Sequence, residues 1–232
     1  MKNKRIAVLT GAGISAESGI RTFRAADGLW EDHRVEDVAT PQAYMRNPQL
    51  VQRFYNARRT QLNEVHPNAA HVALVRLENS YHVDVITQNV DDLHDRAGSS
   101  HVLHLHGELR KARSVLSGKA YPWTEDLTEE SRCPDGARMR PHIVWFGEDV
   151  PLIGTAAELV SQADVIIIVG TSMQVYPAAG LVGMAQPRTP VYYIDPFPTL
   201  NHELRNSGYL TVIEQTAVAG VPPLVDQLLA EA

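Results

Sequence analysis

The chain has 232 residues, 44% of them hydrophobic and 21% charged, with a formal net charge of −6. This balance excludes wholesale disorder and gives no bulk electrostatic attraction for nucleic acid or an anionic membrane. The single cysteine, Cys133, excludes an intramolecular disulfide, and no stretch approaches the roughly 20 apolar residues of a membrane helix. The expectation is a soluble, cytoplasmic, monomeric protein with one sizeable core and a smaller lobe, and with no nucleic-acid or membrane partner.

The first apolar run, Ile6 to Leu9, is four residues long, shorter than the roughly 7–15 of a signal-peptide core. Its β-branched content and its stop at glycine predict a buried strand feeding a tight turn. The turn GAGISA carries Gly11, Gly13 and Ala16 at the spacing of the fingerprint G-x-G-x-x-G/A, whose glycines let the backbone approach a pyrophosphate. Ser15 and Ser18 add hydroxyl donors near a helix N-terminus whose free N–H groups favour anions. Arg21 and Arg24 follow, spaced to reach phosphate or ribose. A dehydrogenase would continue into a second strand ending in an acid about 20 residues on. Glu31 and Asp32 lie near that distance, but AADGLWEDHR has no strand pattern, so the segment reads as a loop covering a dinucleotide.

PQAYMRNPQLVQRFYNARRTQL predicts a helix with Leu50, Phe54, Ala57 and Leu62 inward and Pro48 in its first turn. Tyr55 and Arg58 are i,i+3 and share a face, with Arg59 turned to one side. Either the pair belongs to a solvated basic face, or it receives a carboxylate, the guanidinium bidentately and the phenol as a further donor. A second helix puts Ala70, Leu74 and Leu77 inward, with His71 a half-buried packing residue. Val83, Val85 and Ile86 form a strand whose carboxyl end carries Gln88, Asn89 and Asp91, at the sheet edge where ligands collect. Asp91 and Asp92 also read as helix-capping acids.

In HVLHLHGEL, period-two alternation puts His104 and His106 on one strand face, with His101 near its start and Gly107 at a kink. These histidines read as solvated residues, as two metal ligands, or as holding a general base near pH 7; His106, beside the glycine, is favoured as the base. From Leu109 to Pro141 the apolar periodicity fades into a small irregular lobe. Ile143 to Phe146 is a strand ending at Gly147 and Glu148. Val165 to Val169 is the clearest buried strand, closed by Gly170, Thr171 and Ser172 and by a helix after Pro177, which repeats the logic of the first strand. A strand ending at Asp195, a last strand in YLTVIEQTA and a helix in PPLVDQLLAEA finish the chain.

These stretches, in this order, resemble the sirtuin family of NAD-dependent protein deacylases. GAGISAESGIRTFR, TQNVDDLHDRAG, HLHGE, VWFGE, GTSMQVYPAA and YID match its motifs across nearly the whole chain. ADGLW and FYNARR are most similar to the bacterial branch and to relatives that accept negatively charged acyl groups. The resemblance implies an α/β fold, a doubly wound, Rossmann-like parallel sheet (1–26, 67–108 and 142–232) with a small lobe formed by two insertions (27–66 and 109–141).

It also implies roles. Gly11, Ala12, Gly13, Ser15, Glu17, Phe23, Arg24 and Trp30 would line NAD. Gln88, Asn89, Val90 and Asp91 would hold the nicotinamide end, with Asp91 the carboxamide partner. Gly170, Thr171 and Ser172 would contact the phosphate and adenosine side, and Asp195 and Ala217 the adenosine. Val144, Phe146, Gly147, Glu148 and Val175 would hold a strand-like substrate peptide, with Tyr55 and Arg58 recognising succinyl or malonyl groups. In the implied reaction the acyl oxygen of a modified lysine attacks the nicotinamide ribose carbon. Nicotinamide leaves, and His106, assisted by Asn89, activates a ribose hydroxyl that captures the acyl group.

The chain departs from the family at several points. Sirtuins usually hold zinc with two C-x-x-C pairs, but Ser114 and Ser117 occupy the first pair, and Cys133 is followed three residues later by Gly136. No structural zinc is expected, and Tyr121, Trp123 and Met139 would pack the lobe instead. Asp195 stands where asparagine is common, placing an acceptor-only group near the adenosine ribose. Thr22 stands where aspartate is common. The competing functions are a protein ADP-ribosyltransferase, disfavoured by a Tyr/Arg pair it could not use, and a non-catalytic NAD or ADP-ribose binder, disfavoured by His106 and Asn89.

Overall fold

The structure, a computed structural model, describes residues 4–21 and 29–232. Strand β1 (Arg5–Thr10) runs into helix α1 (Gly13–Ala16), and a hairpin of β2 (Leu29–Trp30) and β3 (His33–Arg34) leads to α2 (Val35–Val38), α3 (Pro41–Arg46) and α4 (Pro48–Gln61). Helix α5 (Ala69–Arg76) returns the chain to β4 (His82–Thr87), α6 (Leu93–Ala97) and β5 (Val102–His104). Strands β6 (Gly107–Ser114), β7 (Ala120–Pro122) and β8 (Met139–Ile143) form a separate antiparallel sheet. Helix α7 (Ile153–Ser161), strands β9 (Val165–Val169) and β10 (Val191–Ile194), helix α8 (His202–Arg205), strand β11 (Leu210–Ile213) and helix α9 (Ala217–Ala230) complete the order.

The main sheet has the order β11-β10-β9-β1-β4-β5 and every pairing is parallel. It is the expected doubly wound, Rossmann-like arrangement, and the order in which strands are added reverses between β1 and β9. Both faces are covered, which is why β1 and β9 read as continuous apolar runs. Ile6 and Val8 pack on one side with Leu74 of α5 and Val221 of α9. Ala7 and Leu9 pack on the other with Ala156 and Val160 of α7. Burial of one such isoleucine or leucine is worth about 1.5–3 kcal/mol.

The two glycine turns at the switch point are packed against each other. The Gly11 N–H donates to the Val169 carbonyl at 3.1 Å and the Gly13 N–H to the Gly170 carbonyl at 2.8 Å. A Cβ on Gly13 would lie 2.5 Å from the Gly170 Cα, so the backbones meet where no side chain fits.

Several expected elements differ in detail. The helix expected from Pro41 to Leu62 is two helices, broken at Asn47, whose side chain accepts from the Leu50 N–H at 3.0 Å and caps α4. Pro48 lies in that first turn, as expected. Ala57 is exposed and Leu50 half-buried, while the buried face of α4 includes the polar Gln52, Asn56 and Arg59. The reason is the irregular chain beside it. Asn56 exchanges two hydrogen bonds of 2.9 Å with the Leu127 backbone, and Arg59 donates to the carbonyls of Leu109 (2.7 Å) and Glu125 (3.2 Å). At Glu125 and Leu127, where the chain has no ladder of its own, the backbone is satisfied by this helix.

The helix expected after Pro177 is a 3-10 helix, Ala178–Met184, and the last helix begins at Ala217, five residues before its first proline. His71 is fully buried in a capping box with Asn68 rather than half-buried. The segment around Trp30, expected to lack strand structure, forms the β2–β3 hairpin.

The small sheet has its own core of Ala112, Leu127, Cys133 and Met139, with Tyr121 and Trp123 packed on it. The residues at the family's zinc positions do not fit a zinc ion. Ser114 Oγ already accepts from the N–H groups of Leu116 and Ser117, and Ser117 Oγ donates to Asp135 Oδ2 at 2.7 Å. Burial pushes the Cys133 thiol up, away from the thiolate a metal requires. Among the described residues no group of three His, Cys, Asp or Glu side chains is arranged to hold a metal.

Candidate active site

The candidate site is assembled at the carboxyl ends of β1, β4 and β9. Ser15, buried in the first turn of α1, connects two loops: its hydroxyl donates to Asp91 Oδ2 at 3.0 Å and accepts from Asn89 Nδ2 at 3.1 Å. Asp91 Oδ1 accepts from the Leu93 N–H at 3.1 Å, so this residue also serves the capping role open to it. Burial raises the pKa of its carboxyl. Gln88 reaches across the switch point and donates to Thr171 Oγ1 at 3.2 Å. Val90 supplies a carbonyl to the Leu109 N–H at 2.8 Å, tying the loop to β6.

A buried polar chain that the sequence reading missed lies beneath this loop. His94 Nε2 lies 3.0 Å from Thr10 Oγ1, which donates to Thr87 Oγ1 at 2.8 Å, and Thr87 accepts from the Asn89 N–H at 3.0 Å. With Thr10 spending its proton on Thr87, His94 must donate from Nε2. Burial pushes the His94 pKa down to about 3 and that of His71, against it, to about 4.

His104 and His106 do not share a strand face. Strand β5 ends at His104, whose Nε2 lies 3.0 Å from Asp95 Oδ2 on α6. The chain then turns, and β6 begins at Gly107 with φ +86°, where a Cβ would overlap the His142 carbonyl. This turn carries His106 toward the β4 loop, where its Nδ1 lies 3.2 Å from the Gln88 carbonyl. A carbonyl can only accept, so Nδ1 carries the proton and Nε2 keeps a free lone pair. Burial holds the His106 pKa below its ordinary value, favouring that neutral form.

The His106 carbonyl accepts from the Val144 N–H at 2.9 Å, and the next residue, Trp145, donates from Nε1 to the Tyr55 hydroxyl at 3.0 Å. Tyr55 is fully buried, and its burial pushes the phenol well above its usual range, so it remains neutral. Arg58, one helical turn on, lies over the Phe54 ring at 4.2 Å and donates to the Phe54 carbonyl at 2.9 Å. Trp30 packs edge-on against Phe54 and Tyr55, at 5.1 and 5.8 Å. In the sequence Trp145, Thr10 and Thr87 gave only an apolar-strand signal, and His94 none.

Other expected site residues have structural partners. Glu17, exposed, accepts from the Thr216 hydroxyl and the Val218 N–H, and so caps α9 beside the buried Ala217. Glu148 accepts from Arg113, Arg140 and the Trp145 N–H; burial acts to raise its pKa, but the Arg140 bond and its companions hold it below the usual range. Arg21 pairs with Glu31 and Asp32. Asp195 Oδ1 accepts from the Phe197 N–H at 2.8 Å, with its carboxyl pKa raised by burial. Ala12 lies half-buried at the start of α1; Ser172 and Phe146 are exposed, Gly147 is exposed with φ +88°, and Val175 is half-buried. Thr22, Phe23 and Arg24 lie outside the described residues.

Comparison with known proteins places this geometry in context. A family model described as the Sir2 family matches residues 11–177. The chain is 52% identical over 227 residues to an NAD-dependent protein deacylase of Helicobacter pylori, covering 97% of this chain and 98% of that one. It is 56% identical over 194 residues to an NAD-dependent protein deacylase of Escherichia coli strain K12, covering 80% and 69%. Among solved structures, a Sir2 homologue bound to ADP-ribose superposes with a TM-score of 0.88 at 37% identity, covering 99% of this chain and 93% of that one. A complex of a Sir2 protein with a p53 peptide and NAD+ superposes with a TM-score of 0.77 at 30% identity, covering 99% and 93%.

Proposed function

The chain belongs to the Sir2 family, and from that premise we propose that it is an NAD-dependent protein lysine deacylase acting on acetyl and on succinyl or malonyl groups. The observation that carries this reading is His106. Its Nδ1–H is committed to the Gln88 carbonyl, which leaves Nε2 as a proton acceptor beside the loop of Asn89 and Asp91. A protein that merely bound a dinucleotide would need no such base.

The residues present fit NAD. Gly11, Gly13 and Gly170 let the two turns pack backbone to backbone at the switch point, where a pyrophosphate would be bound beside Ala12, Thr171 and Ser172; the family resemblance adds Phe23 and Arg24, which lie outside the described residues. Gln88, Asn89, Val90 and Asp91 would hold the nicotinamide end, and Asp195 and Ala217 the adenosine. Bound NAD supplies an electrophilic ribose carbon and nicotinamide as leaving group. His106 accepts a hydroxyl proton at Nε2, Asn89 orients the ribose, and Ser15 fixes both Asn89 and Asp91 so that neither must reorganise. Val144, Gly147 and Val175 edge the groove for an extended acyl-lysine peptide, with Tyr55 and Arg58 at the far end of the acyl chain. Zinc has no part in this reading, and the small sheet stands on its own core. The two-insertion division of the small lobe and a cytoplasmic location belong to the same proposal; no helix among the described residues is long and apolar enough to cross a membrane.

The test is NAD-dependent removal of acyl groups from matched acetyl- and succinyl-lysine peptides, with nicotinamide followed in parallel. One nicotinamide per acyl group removed, abolished in His106→Ala, is expected. Nicotinamide release without deacylation would establish ADP-ribosyl transfer or NAD hydrolysis instead.

A further inference from the structure

The tip of the β2–β3 hairpin holds a carboxylate that the proposed chemistry does not use. Trp30 pairs with His33, so Glu31 and Asp32 form a two-residue turn with φ +49° and +63°. Such turns favour asparagine and glycine, because a side chain in the left-handed region is strained. Two acids there are maintained by their surroundings. Trp30 and His33 both pack edge-on against Phe54, at 5.1 and 5.2 Å, and His33 Nδ1 lies 2.8 Å from the Glu31 carbonyl. Backbone strain held in this way is a mark of sites where side-chain direction matters.

The strained turn separates its two acids. The Asp32 side chain is 85% exposed, whereas that of Glu31 is only 11% exposed and is turned against α4. Glu31 Oε2 lies 3.6 Å from an Arg58 terminal nitrogen and 3.9 Å from Arg21 Nε. Glu31 is the one carboxylate paired with Arg58 among the described residues. The pairing is incomplete: Arg58 Nε is buried without a hydrogen-bond partner among the described residues, and 3.6 Å is beyond a good hydrogen bond. The guanidinium fork is therefore neutralised in charge but not filled in geometry, and a planar carboxylate arriving bidentately would satisfy it better.

We propose that Glu31 is a resident counter-carboxylate that sets acyl specificity. It neutralises Arg58 when the bound acyl group is uncharged, and gives way when the acyl group brings its own carboxylate. This rests on the reading of Tyr55 and Arg58 as the end of the acyl pocket. Acetyl-lysine is then accepted without stranding an unpaired guanidinium, and acidic acyl groups bind against a built-in competitor. Breadth of substrate is the outcome, at the expense of affinity for the acidic class.

The experiment compares kcat and KM on acetyl- and succinyl-lysine peptides for the wild type, Glu31→Gln, Arg58→Met and the double variant. Glu31→Gly serves as a second variant, since glycine relieves the positive φ while removing the charge. In both Glu31 variants the succinyl-to-acetyl ratio of kcat/KM should rise roughly tenfold, through KM rather than kcat. In the double variant the ratio should equal that of Arg58→Met alone, because Glu31 acts only through the guanidinium. An unchanged ratio in both Glu31 variants, with Arg58→Met still selectively losing succinyl activity, would overturn the role of Glu31 and leave the pocket standing. If Arg58→Met also leaves the ratio unchanged, the pocket reading itself falls, and Glu31 with it.

Discussion

The Tyr55 hydroxyl accepts a hydrogen bond of 3.0 Å from the indole Nε1–H of Trp145, and this contact joins α4 to the segment after β8 whose Val144 N–H donates to the His106 carbonyl. Both partners are almost without solvent exposure, so neither group can turn to water if the other is removed.

Trp145→Phe should therefore cost about 1–3 kcal/mol of stability, the penalty for a buried polar group losing its partner. Urea unfolding would measure it. Desuccinylation should fall more than deacetylation, because Tyr55 is loosened at the acyl end while His106 keeps its own bond to Gln88. Equal losses would show that Trp145 serves the fold alone.

Arg59 is 1% exposed and donates to the carbonyls of Leu109 and Glu125 and to Asn56. Arg59→Met keeps the volume and strands those acceptors, so a loss of about 3 kcal/mol or more is expected, as for other broken buried networks. Limited proteolysis should cut the variant first between residues 115 and 138. Protection equal to the wild type would refute the idea that α4 substitutes for a missing ladder.

Acid should unfold the protein through two buried histidines. His71 and His94 have folded pKa values of about 4 and about 3 against an ordinary 6.5. Below 6.5 the unfolded chain binds protons that the folded one refuses, so stability is fully present above that pH and is lost as pH falls toward 4. The slope is about 1.4 kcal/mol per pH unit for each histidine. His94→Gln keeps a donor for Thr10 and cannot titrate, so its stability profile between pH 6.5 and 4.5 should be visibly flatter.

Chelators should leave melting temperature and activity unchanged, since the serines at the zinc positions are already engaged with backbone and with Asp135. Ser117→Ala should loosen the 114–138 turns instead. One zinc per chain in total-metal analysis of purified protein would contradict this.

Much of this was legible because continuous apolar strands ending at glycines announce a doubly wound sheet and its switch point. Gly11, Gly13 and Gly170 marked the switch point, where the two turns meet, and the stretch from Gln88 to Asp91 marked the polar groups gathered beside it. What failed to show in the sequence depended on contacts across the chain. Period-two alternation carried the β5 reading past His104, because no local signal reports that His106 leaves the strand for the Gln88 carbonyl in the loop after β4. Hydrophobic periodicity misplaced the inner face of α4, because Asn56 and Arg59 are buried to serve backbone groups of β6 and of the chain at Glu125 and Leu127, some 50 to 70 residues away. Glu31 was noticed only as an acid in the wrong place for a dehydrogenase, and its strained turn became visible only with backbone angles.

The meeting of Gly13 and Gly170 bears on how this chain can change. A clash created by one substitution is ordinarily relieved by trimming the facing residue, but neither of these two has anything left to trim. The positions cannot compensate for one another. A saturation survey should find both intolerant, with no suppressor of a Gly13 variant arising at Gly170, so the mutational paths open to this protein all leave its two glycine turns untouched.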